Sequence, residues 1–211
     1  EKLGVTRYEP PEVGTPQSRA DRFVIGGESE DGPDLRTGPE KYDVDAFERY
    51  HDRFVDGEPC LLQEKLDGSN CRVVFWGGRL WVKTRNRWVK RVPDYSHITR
   101  ESLLAKGCPE DKIDGIVARV QGGPKAPNDF WQVIEKYPAL IAYLEANPGT
   151  TVYAEIHGNT NRIKYGFADV NRFAAFDVYR DGAFLSAPQM LSELTAAGVP
   201  LAPLLSPTGG G

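Results

Sequence analysis

The sequence predicts an α+β fold, because glycine-containing β-hairpins and amphipathic helical segments follow one another along the chain. One hairpin is predicted at 70–84 around two consecutive glycines, and another at 172–186 around Asp181-Gly182. Both faces of the first hairpin carry large apolar side chains, which indicates a covered sheet. For 211 residues, one domain, or one domain with a small appendage, is expected.

The composition limits the classes of partner and compartment. A net charge of −4 and a pI near 5.5 argue against a chain that is basic throughout, so any nucleic-acid contact needs a local basic patch. The three cysteines, Cys60, Cys71 and Cys108, have no metal-ligand spacing, and we expect a reducing, cytoplasmic compartment. The sequence has no signal peptide and no long apolar run, so we expect no membrane span.

The ends of the chain differ from its middle. Residues 1–39 are rich in proline, glycine and acids and are predicted to be an extended arm or linker. Residues 40–205 form the predicted domain, and 206–211 a frayed tail. Because the first residue is Glu1 and not Met, we expect that an N-terminal portion has been removed.

Hydrophobic periodicity and capping residues place the elements between these ends. Helices are predicted at 43–55, 99–106 and 109–120, at 128–146 with a break at Pro138, and from Ala187 to just before Gly198. Besides the two hairpins, strands are predicted at 58–65, 150–157 and 199–205. In the strand at 150–157, strict alternation turns Glu155 away from a face of small apolar residues.

Lys65 is the clearest candidate for a chemically reactive residue. It follows Leu61-Leu62, which we interpret as the end of a buried strand, and it precedes the turn at Asp67-Gly68. A lysine is a nucleophile only when it is neutral, and its reference pKa of ~10.4 falls in a pocket that desolvates the amine or places a cation beside it. Taken alone, the pattern fits equally well a strand–turn–strand with no chemistry.

A basic segment at 84–91 is a candidate nucleic-acid contact. Its cations could bind phosphates, and its tryptophan could stack on a base. The alternative is a solvated loop. The candidate RNA-contacting residues are Arg87, Trp88, Lys90 and Arg91.

Lys65-Leu66-Asp67-Gly68-Ser69-Asn70 resembles the K-x-D-G-x-N motif of the covalent nucleotidyltransferases, which comprise RNA ligases, DNA ligases and mRNA capping enzymes. Further segments resemble later motifs of the same superfamily in the same order, and they are most similar to those of the RNA ligases: 83–86, 153–158, 164–166 and 173–177. Residues 3–11 also resemble a segment that precedes the ligase domain in a group of bacterial RNA ligases.

The resemblance implies an adenylyltransferase domain of antiparallel sheets flanked by helices, with the nucleotide pocket between them. It implies that Lys65 takes AMP from ATP as a lysyl-AMP, and that AMP passes to an RNA 5′-phosphate before a 3′-hydroxyl seals the strand. RNA ends are then the partners. The implied nucleotide-binding residues are Glu64, Asn70, Arg85, Glu155 and Phe176. Asp67 and Glu155 would hold Mg²⁺ or Mn²⁺, mainly through water, and Gly68, Lys164 and Asp177 would support the site.

Each of these residues also has a simpler interpretation when it is taken singly. Arg85 could be an exposed turn arginine, and Glu155 a solvent-facing strand carboxylate. Phe176 could belong to the core, and Asp177 could oppose a lysine.

The chain departs from the family pattern after Asp177. No E-G-x-V or K-x-K/R segment follows, and the similar Asp114-Gly115-Ile116-Val117 has the spacing of a helix. We therefore expect a fragment that is weakly active or inactive. The competing functions are a DNA ligase, an mRNA capping guanylyltransferase, or a non-catalytic RNA-binding module that retains the fold.

Overall fold

A computed structural model describes residues 27–33, 35–39, 57, 61–122, 126–158, 165–167 and 171–205. The predicted helix at 43–55, Cys60 and Lys164 lie outside these ranges. The chain divides into two compact units. One unit consists of Glu1–Glu28 with Val92–Ala126, and the other of Ser29–Arg91 with Pro127–Gly211.

The strands of the larger unit form one antiparallel sheet, which confirms the α+β prediction. Within the described residues the strand order is β1-β4-β3-β2-β5-β6-β7. The strands are β1 Ser29–Glu30, β2 Gly68–Trp76, β3 Arg79–Thr84, β4 Trp88–Val89, β5 Thr151–His157, β6 Arg172–Arg180 and β7 Ala183–Phe184. The longest strands, β2 and β6, flank β5 in the interior of the sheet.

Both predicted hairpins are confirmed, and their turns have the expected chemistry. Gly77 and Gly78, between β2 and β3, have φ values of 59° and 81°. Asp181 and Gly182, between β6 and β7, have φ values of 50° and 89°. Positive φ at both central positions matches the right-handed twist of the flanking strands, so these residues fix the register of each hairpin.

Three helices of this unit contribute to a core with one face of the sheet: α3 Asp129–Ile134, α4 Pro138–Ala146 and α5 Ala187–Ala197. The core joins sheet residues such as Val73 and Val152 to helix residues such as Leu140 and Leu194, all of them fully buried. The predicted break at Pro138 is confirmed, because this proline starts α4.

The smaller unit contains two helices, α1 Arg100–Ala105 and α2 Glu110–Gln121. A capping box starts α1, in which the Thr99 side chain accepts a hydrogen bond from the Ser102 N–H. The unit has its own apolar cluster, which includes Leu103 and Ile113. Because Asp114-Gly115 lies inside α2, its likeness to the E-G-x-V motif is accidental, as the helical spacing predicts.

No helix in the described part of the chain is long and apolar enough to cross a membrane. The two cysteines in this part, Cys71 and Cys108, are buried free thiols.

Two predicted strands are wrong in their described parts. Leu61 and Leu62 are 37% and 49% exposed, so they do not end a buried strand. Gln63 forms only an isolated bridge with Leu204, and Leu201 only an isolated bridge with Ala175. Prolines at positions 200 and 203 have no N–H, so a regular ladder cannot extend along 199–205 or along its partner near Gln63.

Candidate active site

A cavity of about 1110 Å³ opens where β2 begins and β3 ends. Lys65, Arg85, Glu155 and Phe176 all line it, although they come from four separate segments of the chain. Glu64, Gly68, Asn70 and Arg87 line it as well. The structure thus brings together most of the residues that the sequence singled out.

The pairing of β2 with β5 sets one side of this cavity. Asn70 lies opposite Glu155 in the antiparallel register, and Gly68 lies opposite His157. Ala154 and Ile156, the neighbours of Glu155, belong to the buried core, so alternation places the Glu155 side chain on the other face. The buried Oδ1 of Asn70 has no hydrogen-bond partner among the described residues, which leaves an acceptor for a ligand.

Gly68 is required by a close approach between strands. A Cβ at this position would lie 2.4 Å from the Ile156 carbonyl oxygen and 2.6 Å from Glu155 Cγ. A residue other than glycine would therefore push the preceding segment away from β5. We name this segment, residues 64–67, the Lys65 loop. In this position the Gly68 N–H donates a hydrogen bond to the Glu155 carboxylate.

A β-bulge interrupts the side-chain alternation of β6 at Phe176, so that Phe176 and Asp177 both leave the core face. Tyr153 pairs with Asp177 and Ala154 pairs with Ala175, so Phe176 is an extra residue on β6. The bulge reverses the side-chain alternation at this point, since Ala175 and Val178 both belong to the core. Phe176 therefore leaves the core and lines the cavity.

The segment Pro200–Leu205, which we name the strap, connects two walls of the cavity. At one end, the Ala175 N–H donates to the Pro200 carbonyl oxygen over 2.8 Å, and the Ala202 N–H donates to the Ala175 carbonyl oxygen over 2.7 Å. At the other end, the Glu64 N–H donates to the Pro203 carbonyl oxygen over 2.9 Å. The strap therefore ties the residue before Phe176 to the residue before Lys65.

A second anchor holds the Lys65 loop on its other side. The Asp67 N–H donates to the Tyr165 hydroxyl over 2.6 Å. The Tyr165 ring stacks on Phe167 with centroids 6.2 Å apart and meets the His157 ring edge-on at 5.1 Å. Lys65 is thus an exposed side chain on a loop that is fixed at Glu64 and at Asp67.

Burial raises the pKa of Glu155 to about 7. The Gly68 N–H opposes this shift, the negative charge of Asp67 adds to it, and the positive charges of Arg85 and Lys65 lower the pKa. Glu155 is therefore a carboxylate held in an environment that disfavours its charge, beside two cations that partly compensate.

The acids of the site are compatible with a hard divalent metal ion. Among the described residues, no group of three or more His, Cys, Asp or Glu side chains could enclose a metal. Asp67 and Glu155 are close enough for the charge of one to affect the pKa of the other. Two carboxylates fit a hard divalent ion that keeps most of its water ligands, as Mg²⁺ does.

The other predicted residues lie apart. Arg91 forms an ion pair with Glu135, and Trp88 packs against Trp81 with ring centroids 5.8 Å apart, so the four candidate RNA contacts do not form one surface of the cavity. Asp177 accepts a hydrogen bond from the Val178 N–H over 2.9 Å. Neither Asp67 nor Asp177 lines the cavity.

The cavity also contains residues that sequence reasoning missed. Phe130, near the start of α3, and Ala202, in the strap, both line it. No local pattern could have identified them, because their position depends on how α3 and the strap pack against the sheet.

Comparisons with known proteins address the family and the fold of the chain. A sequence model of the RNA ligase family matches residues 58–209, which are 152 of the 211 residues. A comparison with curated protein sequences gave no match.

Solved structures of Naegleria gruberi RNA ligase share the fold. A mutant solved with ATP and Mn has 16% sequence identity and a TM-score of 0.57, and the match covers 97% of this chain and 50% of that one. The ligase solved with PPi has 17% identity and a TM-score of 0.56, with the same coverage of 97% and 50%. The chain thus spans about half the length of these ligases.

We expect Ala202→Pro to loosen both ends of the strap. It removes the N–H that donates to the Ala175 carbonyl oxygen, and an unsatisfied buried carbonyl costs about 1–3 kcal/mol of unfolding free energy. Hydrogen exchange should accelerate in peptides that contain Ala175 and Glu64. Leu204→Pro is the matched control, since the Leu204 N–H donates to no described residue. Equal effects of the two prolines would contradict the role of the strap.

Because its folded pKa of about 7 lies above the ordinary value of ~4.3, Glu155 makes folding pH-dependent. In metal-free buffer the folded state binds the proton more tightly. The contribution of Glu155 to the free energy of unfolding is therefore fully present below about pH 4.3 and is lost as the pH rises towards 7.

Glu155→Gln should abolish this decline, as measured by urea denaturation between these pH values in the presence of a chelator. Glu145→Gln, an exposed substitution on α4, should keep the wild-type profile. An unchanged pH profile in Glu155→Gln would refute the assignment.

Proposed function

The chain belongs to the RNA ligase family, and from this premise we propose that it is the nucleotidyl-accepting part of an ATP-dependent RNA ligase in which Lys65 becomes adenylylated. The observation that carries this proposal is the gathering of Lys65, Arg85, Glu155 and Phe176 around one cavity.

The first proposed step is attack by the neutral Lys65 amine on the α-phosphorus of ATP. A nitrogen–phosphorus bond forms, the bond to pyrophosphate breaks, and the amine gives up a proton to solvent, which leaves lysyl-AMP. Such transfers depend mainly on positioning and on neutralising phosphate charge. The anchored loop supplies the positioning, and Arg85 and Arg87 supply positive charge at the cavity wall.

In the second and third steps, an RNA 5′-phosphate oxygen attacks the phosphorus of lysyl-AMP and releases Lys65. A 3′-hydroxyl then attacks the activated 5′-phosphate and expels AMP. The lysine amine is regenerated, so one residue serves every cycle.

The nucleoside part of ATP has matching contacts in the cavity. Phe176 offers a ring to adenine, with Phe130 as a second apolar wall, and base–aromatic stacking is worth about 1–3 kcal/mol. The unpartnered Oδ1 of Asn70 can accept a hydrogen bond from a ribose hydroxyl. The Glu64 N–H is already bonded to the strap, so Glu64 would act through its side chain.

Asp67 and Glu155 would hold a divalent ion, mainly through water. When bound, Mg²⁺ or Mn²⁺ neutralises phosphate charge and favours the neutral form of a nearby amine. A cation beside Glu155 would also lower its pKa and stabilise the carboxylate form that burial disfavours.

The wild-type chain should be labelled, even if weakly, by α-³²P-ATP with Mg²⁺, and Lys65→Ala and Lys65→Arg should both abolish this labelling. Loss of a covalent nucleophile lowers rates by at least about a thousandfold, and arginine keeps the charge but is not a nucleophile in proteins. The wild-type label should be cleaved by mild acid, as a phosphoramide is. Lys136→Ala, an exposed lysine substitution, is the matched control and should label normally.

Equal labelling of Lys65→Arg and wild type would exclude Lys65 as the acceptor. Preferential labelling by GTP would favour a capping guanylyltransferase, and sealing of nicked DNA but not RNA would favour a DNA ligase. Intact RNA binding by a wild-type chain that never labels would favour a non-catalytic RNA-binding module.

A further inference from the structure

Positive charge is concentrated on one hairpin of an otherwise acidic chain. Residues 79–91 contain six cations and no acid, whereas the whole chain has a net charge of −4. These residues form β3, the turn that follows it, β4, and the two residues after β4. Such a local concentration creates a positive field that the overall charge conceals.

The cations of β3 share one face of the sheet with two tryptophans. Val82 and Leu80 belong to or pack against the helix-covered core, so alternation places Arg79, Trp81 and Lys83 on the opposite face. Trp88 of β4 pairs with Lys83 in the register. We name Arg79, Trp81, Lys83 and Trp88 the basic aromatic row.

The four side chains of the row contact one another in sequence. The Arg79 guanidinium carbon lies 3.4 Å from the Trp81 ring centroid. The Trp81 and Trp88 centroids are 5.8 Å apart at an interplanar angle of 69°, and Lys83 Nζ lies 5.3 Å from the Trp88 centroid. The row therefore presents a cation at each end of a pair of indoles.

The row continues into the cavity. Beyond Lys83 the chain reaches Arg85 and Arg87, which line the cavity. At ~3.3 Å per residue, the distance along the chain from Arg79 to Arg85 is about 20 Å. Cations thus follow one another from the outer end of β3 to the place where we put the reacting phosphate.

We propose that the basic aromatic row binds the single-stranded RNA segment that leads to the end held in the cavity. Its cations contact successive phosphates of the strand. Its half-buried indoles, one of which packs against Gly32, hold these cations in place along the row. The inference rests on the proposed function for the direction of the strand, but the binding itself needs no ATP.

One acid near the row, Glu30, allows a test in which the expected effect is an increase in RNA affinity. Glu30 pairs with Arg79 over 3.1 Å, and the side chains of Arg79 and Glu30 are 52% and 17% exposed. Because the guanidinium end of this pair is exposed, a phosphate can compete with Glu30 for it. Removal of the Glu30 charge should therefore strengthen RNA binding, although it removes a contact from the free protein.

The experiment measures binding of a fluorescent 5′-phosphorylated oligoribonucleotide by anisotropy, without ATP, over a range of salt concentrations. Lys83→Ala should lower the affinity about fivefold at 0.1 M salt and reduce the slope of log K against log salt by about 0.7, the value of one single-strand phosphate contact. Lys83→Arg should retain most of the affinity, and Glu30→Gln should raise it.

Lys136→Ala is the matched control, because it removes an exposed lysine of the same unit outside the row. Thermal unfolding of each variant monitors folding. Equal affinities of Lys83→Ala and Lys136→Ala, or weaker binding by Glu30→Gln, would overturn the proposal. If the wild-type chain is not labelled by ATP but these effects on RNA binding persist, the proposed function is refuted and the RNA-binding role of the basic aromatic row is retained.

Discussion

The approach of Gly68 to β5 is the constraint on which the cavity depends. Pairing of β2 with β5 brings the Gly68 backbone so close to Ile156 and Glu155 that no side chain fits between them. The same contact directs the Gly68 N–H at the Glu155 carboxylate and places the Lys65 loop above β5. The register of two β-strands thereby fixes the relative positions of Lys65 and Glu155, which lie far apart in the sequence. A one-residue slip in this register would move the Glu155 side chain to the opposite face of the sheet.

The strap connects the Lys65 loop to the cavity wall that carries Phe176. Its two prolines cannot donate, but their carbonyl oxygens accept hydrogen bonds from Ala175 and Glu64. The prolines that prevent a regular strand at 199–205 thus leave a segment that bonds at one end to Ala175, beside the Phe176 bulge, and at the other end to Glu64, beside Lys65. A continuous strand would have extended the sheet without joining these two places. The loss of regular structure and the positioning of the site therefore have one cause.

Local signals predicted the hairpins and the described helices, because their turns, caps and apolar spacing are contained within a few residues of sequence. Of the residues that the resemblance singled out, Lys65, Arg85, Glu155 and Phe176 are among those that line the cavity, whereas Asp67 and Asp177 do not. The bulge at Phe176, the strap and the wall formed by Phe130 were not predicted, since each depends on partners far away in the chain. Leu61 and Leu62 misled for the same reason: an apolar pair indicates burial only when a regular partner strand is available.

Glu155 is the place where stability and function oppose each other. A carboxyl group whose pKa is raised to about 7 by burial weakens the fold whenever it is ionised, and a glutamine of the same shape would avoid that cost. Arg85 and Lys65 compensate only in part, while the nearby charge of Asp67 adds to the cost. Such a conflict between a residue and its environment is typical of functional sites. A cation would relieve it, and a cation is also what the proposed transfer of AMP from ATP to a lysine requires. Glu155, whose charge the fold disfavours, is therefore an acid that a metal–nucleotide ligand would stabilise.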